Sequence, residues 1–184
     1  MAHLVVLLEE ASARDALEVW LPKWLPATVP FQCLAFQGKQ DLEKQMVKRL
    51  RGWLRPDSRF LVLRDQDSGD CKVVKQALVQ RCVEAGRPEA VVRVACRELE
   101  SFFVGDWAAV AQAYGKPALA QLQTKAKYRN PDALESPAHE LKQHLPEYQK
   151  REGARRIAPH LDPARCRSRS FAALRDAVVK LGTA

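Results

Sequence analysis

An α/β fold, with a mainly parallel four-stranded sheet flanked by helices and extended by a helical C-terminal region, is what this chain predicts. Three observations predict it. Four short runs rich in aliphatic and β-branched residues, at 3–9, 29–36, 59–64 and 89–96, have the length and composition of buried strands. Stretches with helical spacing separate them, and strands joined by helices of this length form parallel β-α-β units. Carboxylates stand where the apolar runs end, at the edge where open α/β sheets bind their ligands.

The first run, His3-Leu4-Val5-Val6-Leu7-Leu8, leads straight into Glu9-Glu10. Ser12 with Asp15 three residues later reads as a capping box. Leu17, Trp20, Leu21 and Trp24 then fall at helical spacing as core residues, and Pro22 is expected to end or kink that helix. The second run precedes Gly38-Lys39, where Gly38 suits a helix start and Lys39 offers charge to a bound phosphate. This is no P-loop, because Cys33 stands where the earlier glycine is required. Leu42, Met46, Leu50 and Trp53 mark one face of the next helix. The third run ends in Asp65-Gln66-Asp67, and a helix over roughly 70–85 follows, with Val74, Leu78 and Cys82 on one face. The fourth run leads into Arg97-Glu98-Leu99-Glu100. Residues 107–184 read as helical and loop-rich, punctuated by six prolines. The chain is therefore read as an α/β core over 1–106 with a basic helical region, 107–184, packed on it as one structural domain.

The acids carry the chemistry. Asp65 and Asp67 project to one side, about 7 Å apart, if the backbone stays extended. Carboxylates packed this way repel and lose hydration unless a cation sits among them. A hard divalent metal on oxygen ligands, Mg²⁺ or Mn²⁺, is the expected partner. Asp67-Ser68-Gly69-Asp70 also reads as a turn closed by a helix cap, and Asp70 takes that cap. Glu98 and Glu100 share a face in extended chain but point about 200° apart in a helix, where only one could reach a metal. First-turn glutamates favoured by the helix dipole are the other reading.

Of the net charge of +8, residues 1–115 carry +1 and residues 116–184 carry +7. Lys150-Arg151, Arg155-Arg156 and the Arg165-Cys166-Arg167-Ser168-Arg169 run can follow a phosphate backbone, although a solvated basic face gives the same pattern. The five cysteines show no metal-binding spacing and read as reduced, mostly buried thiols. No apolar stretch approaches the length of a membrane span, and the N-terminal run is too short for a signal peptide, so a cytoplasmic protein is expected.

Glu after the first strand, D-x-D after the third and more acid after the fourth resemble the Toprim catalytic layout. That layout occurs in topoisomerases, primases and nucleases of overcoming-lysogenization-defect type. More specifically, several segments look like the bacterial domain-of-unknown-function family 4276, a Toprim-like group. They are Leu8-Glu9-Glu10-Ala11-Ser12, Phe36-Gln37-Gly38-Lys39-Gln40-Asp41-Leu42, Leu63-Arg64-Asp65-Gln66-Asp67, Cys96-Arg97-Glu98-Leu99-Glu100-Ser101-Phe102 and Gly105-Asp106. Near the C-terminus, Tyr148-Gln149-Lys150, Ala154-Arg155-Arg156-Ile157-Ala158 and Ser168-Arg169-Ser170-Phe171 extend the likeness over nearly the whole chain.

The resemblance implies a Toprim-like, Rossmannoid fold and a metal-dependent nuclease. Asp65 and Asp67 would hold Mg²⁺, Glu9 would be a further ligand or general acid/base, and Glu98 or Glu100 would complete a second metal position. Glu10 stands where Toprim motifs usually place glycine, which leaves open whether Glu9 or Glu10 is essential. Lys39, Lys150, Arg155, Arg156, Arg167 and Arg169 are the expected contacts to nucleic acid, with DNA favoured over RNA. Members of such families are often encoded beside ABC/SMC-like ATPases in settings that suggest anti-phage defence, so an ATPase partner is implied, and a homo-oligomer is compatible with the sequence. The alternative expectation is a non-catalytic nucleic-acid-binding or regulatory subunit of such a complex. Paired acids also occur in phospho-accepting receiver domains, but those need a lysine after a fifth strand, and none is readable here.

Overall fold

The computed structural model describes residues 2–183. Four strands, β1 (His3–Leu8), β2 (Phe31–Ala35), β3 (Ser58–Asp65) and β4 (Val91–Ala95), form one parallel sheet in the order β2-β1-β3-β4. Three helices make the crossovers: α1 (Ala11–Trp24), α2 (Lys39–Arg51) and α3 (Cys71–Glu84). This is the α/β, Rossmann-like arrangement that the alternating pattern predicts.

Side chains alternate across the pleat, which divides the core into two layers. Leu4, Val6, Leu8, Leu61 and Leu63 face α1 and the C-terminal helices. Val5, Leu7, Phe60 and Val62 face α2 and α3, where Leu42, Met46, Leu50, Val74, Leu78 and Cys82 close over them. β1 is buried along its whole length, which explains why its sequence shows no polar alternation.

Several local expectations change. Ser12 does not cap α1. The cap position is Glu10, without a side-chain cap bond, and the Ser12 hydroxyl donates to Glu10 Oε1 at 2.8 Å. Asp15 is drawn away from the proposed capping box by Arg151, whose Nε is 2.8 Å from Asp15 Oδ2. Pro22 does not stop α1 at once: it falls in the last turn, and the helix ends two residues later at Trp24. Gly38 does open α2, at φ 99, a conformation that suits glycine. Asp70 caps α3 by accepting from the amides of Lys72 and Val73.

Past β4 the chain contains α4 (Glu100–Val104), α5 (Trp107–Tyr114), α6 (Pro137–His144), α7 (Lys150–Ile157) and α8 (Arg169–Thr183), the last four in the C-terminal region with several 3-10 turns. From these helices, Phe102, Phe103, Trp107, Ile157 and Phe171 join the same core layer as Leu8 and Leu17. Trp20 of α1 meets Phe171 edge-on at 5.0 Å, and its indole N–H donates to Ala158 O at 3.0 Å. Asp106, fully buried, caps α5 and accepts from Arg165 and the Asp162 amide, so this acid ties the C-terminal segments together. All five cysteines are free. Cys82 is buried and the other four are only partly buried, fewer buried thiols than expected. Among the described residues, no helix is long and apolar enough to cross a membrane.

Candidate functional site

The strand order places β2 on one side of β1 and β3 on the other. The chain thus reverses direction across the sheet between β1 and β3, and a crevice opens over their carboxyl ends. Glu9 is the first residue past β1 and Asp65 is the last of β3. Glu9 Oε2 accepts the Asp65 amide at 3.0 Å and lies 3.8 Å from Arg64 Nε. Arg64 is almost buried, and its other end pairs with Glu43 of α2. A cation in the middle of an apolar strand end is therefore held by acids on two elements.

Glu100 arrives from the first turn of α4 and is fully buried. Its Oε1 accepts the Tyr148 hydroxyl at 3.0 Å, whereas its Oε2 is buried without a hydrogen-bond partner. Burial pushes the Asp65 carboxyl well above the usual range, and the charges of Glu100 and Glu9 push it further. Burial likewise raises Glu9 and Glu100. Lys150, at the start of α7, supplies the balancing charge, with Nζ 3.2 Å from Glu10 Oε1. Burial alone would lower the Lys150 ammonium, but Glu100, Glu10 and Asp65 outweigh it and hold it above its ordinary value. Three carboxylates from three chain segments, Glu10, Asp65 and Glu100, thus act on a single lysine.

Other expected ligands go elsewhere. Asp67 does not project alongside Asp65, because the strand ends at Asp65 and Asp67 turns to φ 56. Its carboxylate meets Lys39 Nζ at 3.0 Å, at the rim, although Glu9 still feels its charge. Arg97, after β4, is also left-handed at φ 62, and its carbonyl accepts the Asp67 amide at 2.8 Å. Such backbone costs energy in non-glycine residues, and here two strand-end loops hold each other in it. Glu98 turns away to accept the Ala138 amide at 2.8 Å, capping α6, so Glu100 alone of that pair reaches the acid centre.

The expected nucleic-acid contacts are largely occupied. Lys39 and Lys150 pair with acids, as above. Arg155 reaches Asp15 at 3.4 Å, and Arg156 pairs with Glu152 while lying over the Tyr114 ring at 4.2 Å. Arg167 donates to Gln123 O at 2.6 Å. Arg169 is exposed at the start of α8. Sequence reasoning missed the roles of Arg64, a charge interrupting an apolar run, and of Tyr148, which carries no local signal.

A family model described as a domain of unknown function, DUF4276, matches residues 8–178. The chain belongs to the DUF4276 family. No curated protein and no solved structure matches the chain. The DUF4276 match opens immediately before Glu9 and extends into α8, so it takes in every residue of the acid centre.

Two clefts flank that centre in this DUF4276 protein. One, of about 360 Å³, is lined by Glu10, Ser12, Gly38, Lys150 and Arg151 among others. The other, of about 340 Å³, is lined by Asp67, Ser68, Arg97, Glu98 and Glu135. Among the described residues, no group of three His, Cys, Asp or Glu side chains is already arranged around an ion position. The donor chemistry nevertheless fits a hard divalent cation: oxygen ligands only, crowded enough to raise one another, with one buried Glu100 oxygen unpartnered.

Proposed function

We propose that this protein is a divalent-metal-dependent nuclease that hydrolyses phosphodiester bonds in DNA or RNA. The observation that carries this reading is the convergence of Glu9, Asp65 and Glu100 at the sheet's switch point, with Glu100 Oε2 buried and unpartnered. Isolated charged groups are not left in such places without a compensating cation.

Glu9, Asp65 and Glu100 would hold Mg²⁺ or Mn²⁺. Bound there, such an ion supplies an acidified water and charge neutralisation at a phosphoryl oxygen. The chain's own groups have separable tasks. The Tyr148 hydroxyl fixes the rotamer of Glu100, and the Asp65 amide fixes Glu9. Lys150 offsets the carboxylates and brings a positive charge to the mouth of the cleft that also contains Arg151. Asp67, tethered to Lys39 at the rim, stands next to this set. By resemblance to Toprim nucleases, a cytoplasmic, ATPase-coupled role in anti-phage defence goes with this reading, the partner being an ABC/SMC-like ATPase.

Purified protein, alone and with a neighbouring ATPase, should nick or degrade nucleic acid when Mg²⁺ or Mn²⁺ is supplied. Asp65→Ala should abolish that activity and leave the circular dichroism spectrum unchanged. Full cleavage by the purified variant would sink the nuclease reading.

One observation favours a second reading. Lys150 already neutralises part of the acid cluster, as a vestigial centre in a non-catalytic, nucleic-acid-binding or regulatory subunit would require. Calorimetry separates the two. An active centre takes up Mn²⁺ in a manner dependent on Asp65, whereas a vestigial one takes up none.

A further inference from the structure

Tracing the C-terminal cations to their partners leaves few of them to meet a polyanion at the carboxyl end of the sheet. Arg151 and Arg155 close on Asp15, Arg165 on Asp106, and Lys150 on Glu10. Lys75 of α3 and Arg169 of α8 behave differently. Both are exposed, and among the described residues neither side chain makes a hydrogen bond or an ion pair.

These two side chains line one cleft of about 580 Å³, and Arg93 of β4 lines it as well. Arg93 is fixed in place, donating from Nε to Ala173 O at 3.1 Å and from Nη1 to Val92 O at 3.0 Å. Asp132 is the one carboxylate in the lining, and its charge is engaged: it accepts from the Ser168 hydroxyl at 2.6 Å and the Ser170 amide at 2.8 Å. Asp132 and Asp70 also satisfy the amides opening α8 and α3, so neither helix end is free to bind an anion. The attraction rests on three cations against one occupied acid.

The position of this cleft matters as much as its charge. Its floor includes Cys96, which follows Ala95, and Ala95 pairs in register with Asp65. Adjacent strands lie about 4.8 Å apart. The cleft therefore opens on the outer side of β4, next to the acid centre and at the same end of the sheet. A second basic cleft, lined by Lys48 and Arg49 against Gly52 and Trp53, lies by the opposite, amino end.

We propose that the cleft formed by Lys75, Arg93 and Arg169 binds a backbone phosphate of a polynucleotide, holding the strand beside the acid centre. The proposal rests on the nuclease reading and adds the surface along which the substrate runs. Phosphate contacts of this kind fix register without reading sequence.

The test is fluorescence anisotropy with labelled single-stranded DNA, duplex DNA and single-stranded RNA across a salt series, in EDTA. The charge-removing variant Lys75→Gln/Arg169→Gln should bind about tenfold more weakly, and its slope of log affinity against log salt should be shallower by about 0.7–0.9, the loss of one phosphate contact. The matched variant Lys48→Gln/Arg49→Gln should bind like the parent chain. Unchanged affinity and slope in the first variant, equal losses in both, or no binding by the parent chain to any probe would each overturn the proposal. Failure of the nuclease reading looks different: oligonucleotide binding stays dependent on Lys75 and Arg169, while no divalent ion produces cleavage.

Discussion

Asp65 is where burial and charge oppose each other most directly. Its folded carboxyl sits well above the ordinary range because of burial, then Glu100, then Glu9. A folded value above the unfolded one means that the protonated acid contributes stability at low pH, and that this contribution is lost as pH rises through the folded value. Asp65→Asn removes the cost of ionisation. In EDTA at about pH 8 it should raise Tm by about 2–4 °C, the equivalent of ~1 kcal/mol in a chain of this size, with a smaller gain at about pH 5. A lower Tm at the higher pH would contradict the electrostatic account. The folded value of Lys150 is raised too, but from the alkaline range, so its contribution is fully present at neutral pH and is lost only in strongly alkaline solution. Lys150→Met should lower Tm in EDTA, and added Mn²⁺ should restore part of the loss, as thermal melts would reveal. Glu9 and Asp65 were legible in the sequence because each directly ends an apolar run. Asp67 was misjudged because a positive φ at a non-glycine residue leaves no trace in composition.

At the scale of elements, α7 is the piece that completes the acid centre. A methyl group at Gly153 would stand 2.1 Å from Tyr148 Cε2, deep inside contact distance. Tyr148 is buried and bonded to Glu100, so it cannot swing away freely. Gly153→Ala should therefore cost about 1–3 kcal/mol, as overpacked cores do, and should weaken Mn²⁺ uptake by disturbing Glu100. Thermal melts and calorimetry on one preparation check both effects. All four strands were readable to within about two residues at each end, the scatter expected of boundaries. The interiors of β1 and β3 carry unbroken apolar runs, which is why they were clear. Ser12 and Asp15 misled because a capping box and a tertiary ion pair use the same residue types, and Arg151 prevailed over local geometry.

For the whole molecule, the two sequence regions share a core layer, with Trp20 set among Phe102, Phe103 and Phe171. A fragment of residues 1–106 loses Phe171 and Ile157 from that layer and Lys150 from the acids. It should show no cooperative thermal transition by circular dichroism, whereas the full chain should melt in one step. The uneven charge of the C-terminal third was visible in the sequence, but its destination was not. Arg151, Arg155 and Lys150 reach partners some 136 to 140 positions away, and only the folded chain reveals such pairings.

The long span between Glu10 and Lys150 also bears on the order of events at the ribosome. Synthesis proceeds from the N-terminus at about 5–20 residues per second, so Glu9, Asp65 and Glu100 leave the exit tunnel well before their balancing lysine. Until α7 emerges, closing the carboxyl edge of the sheet would trap negative charge with nothing to offset it. The nascent chain is thus expected to keep that edge hydrated and open, and to seal it only once α7 has emerged.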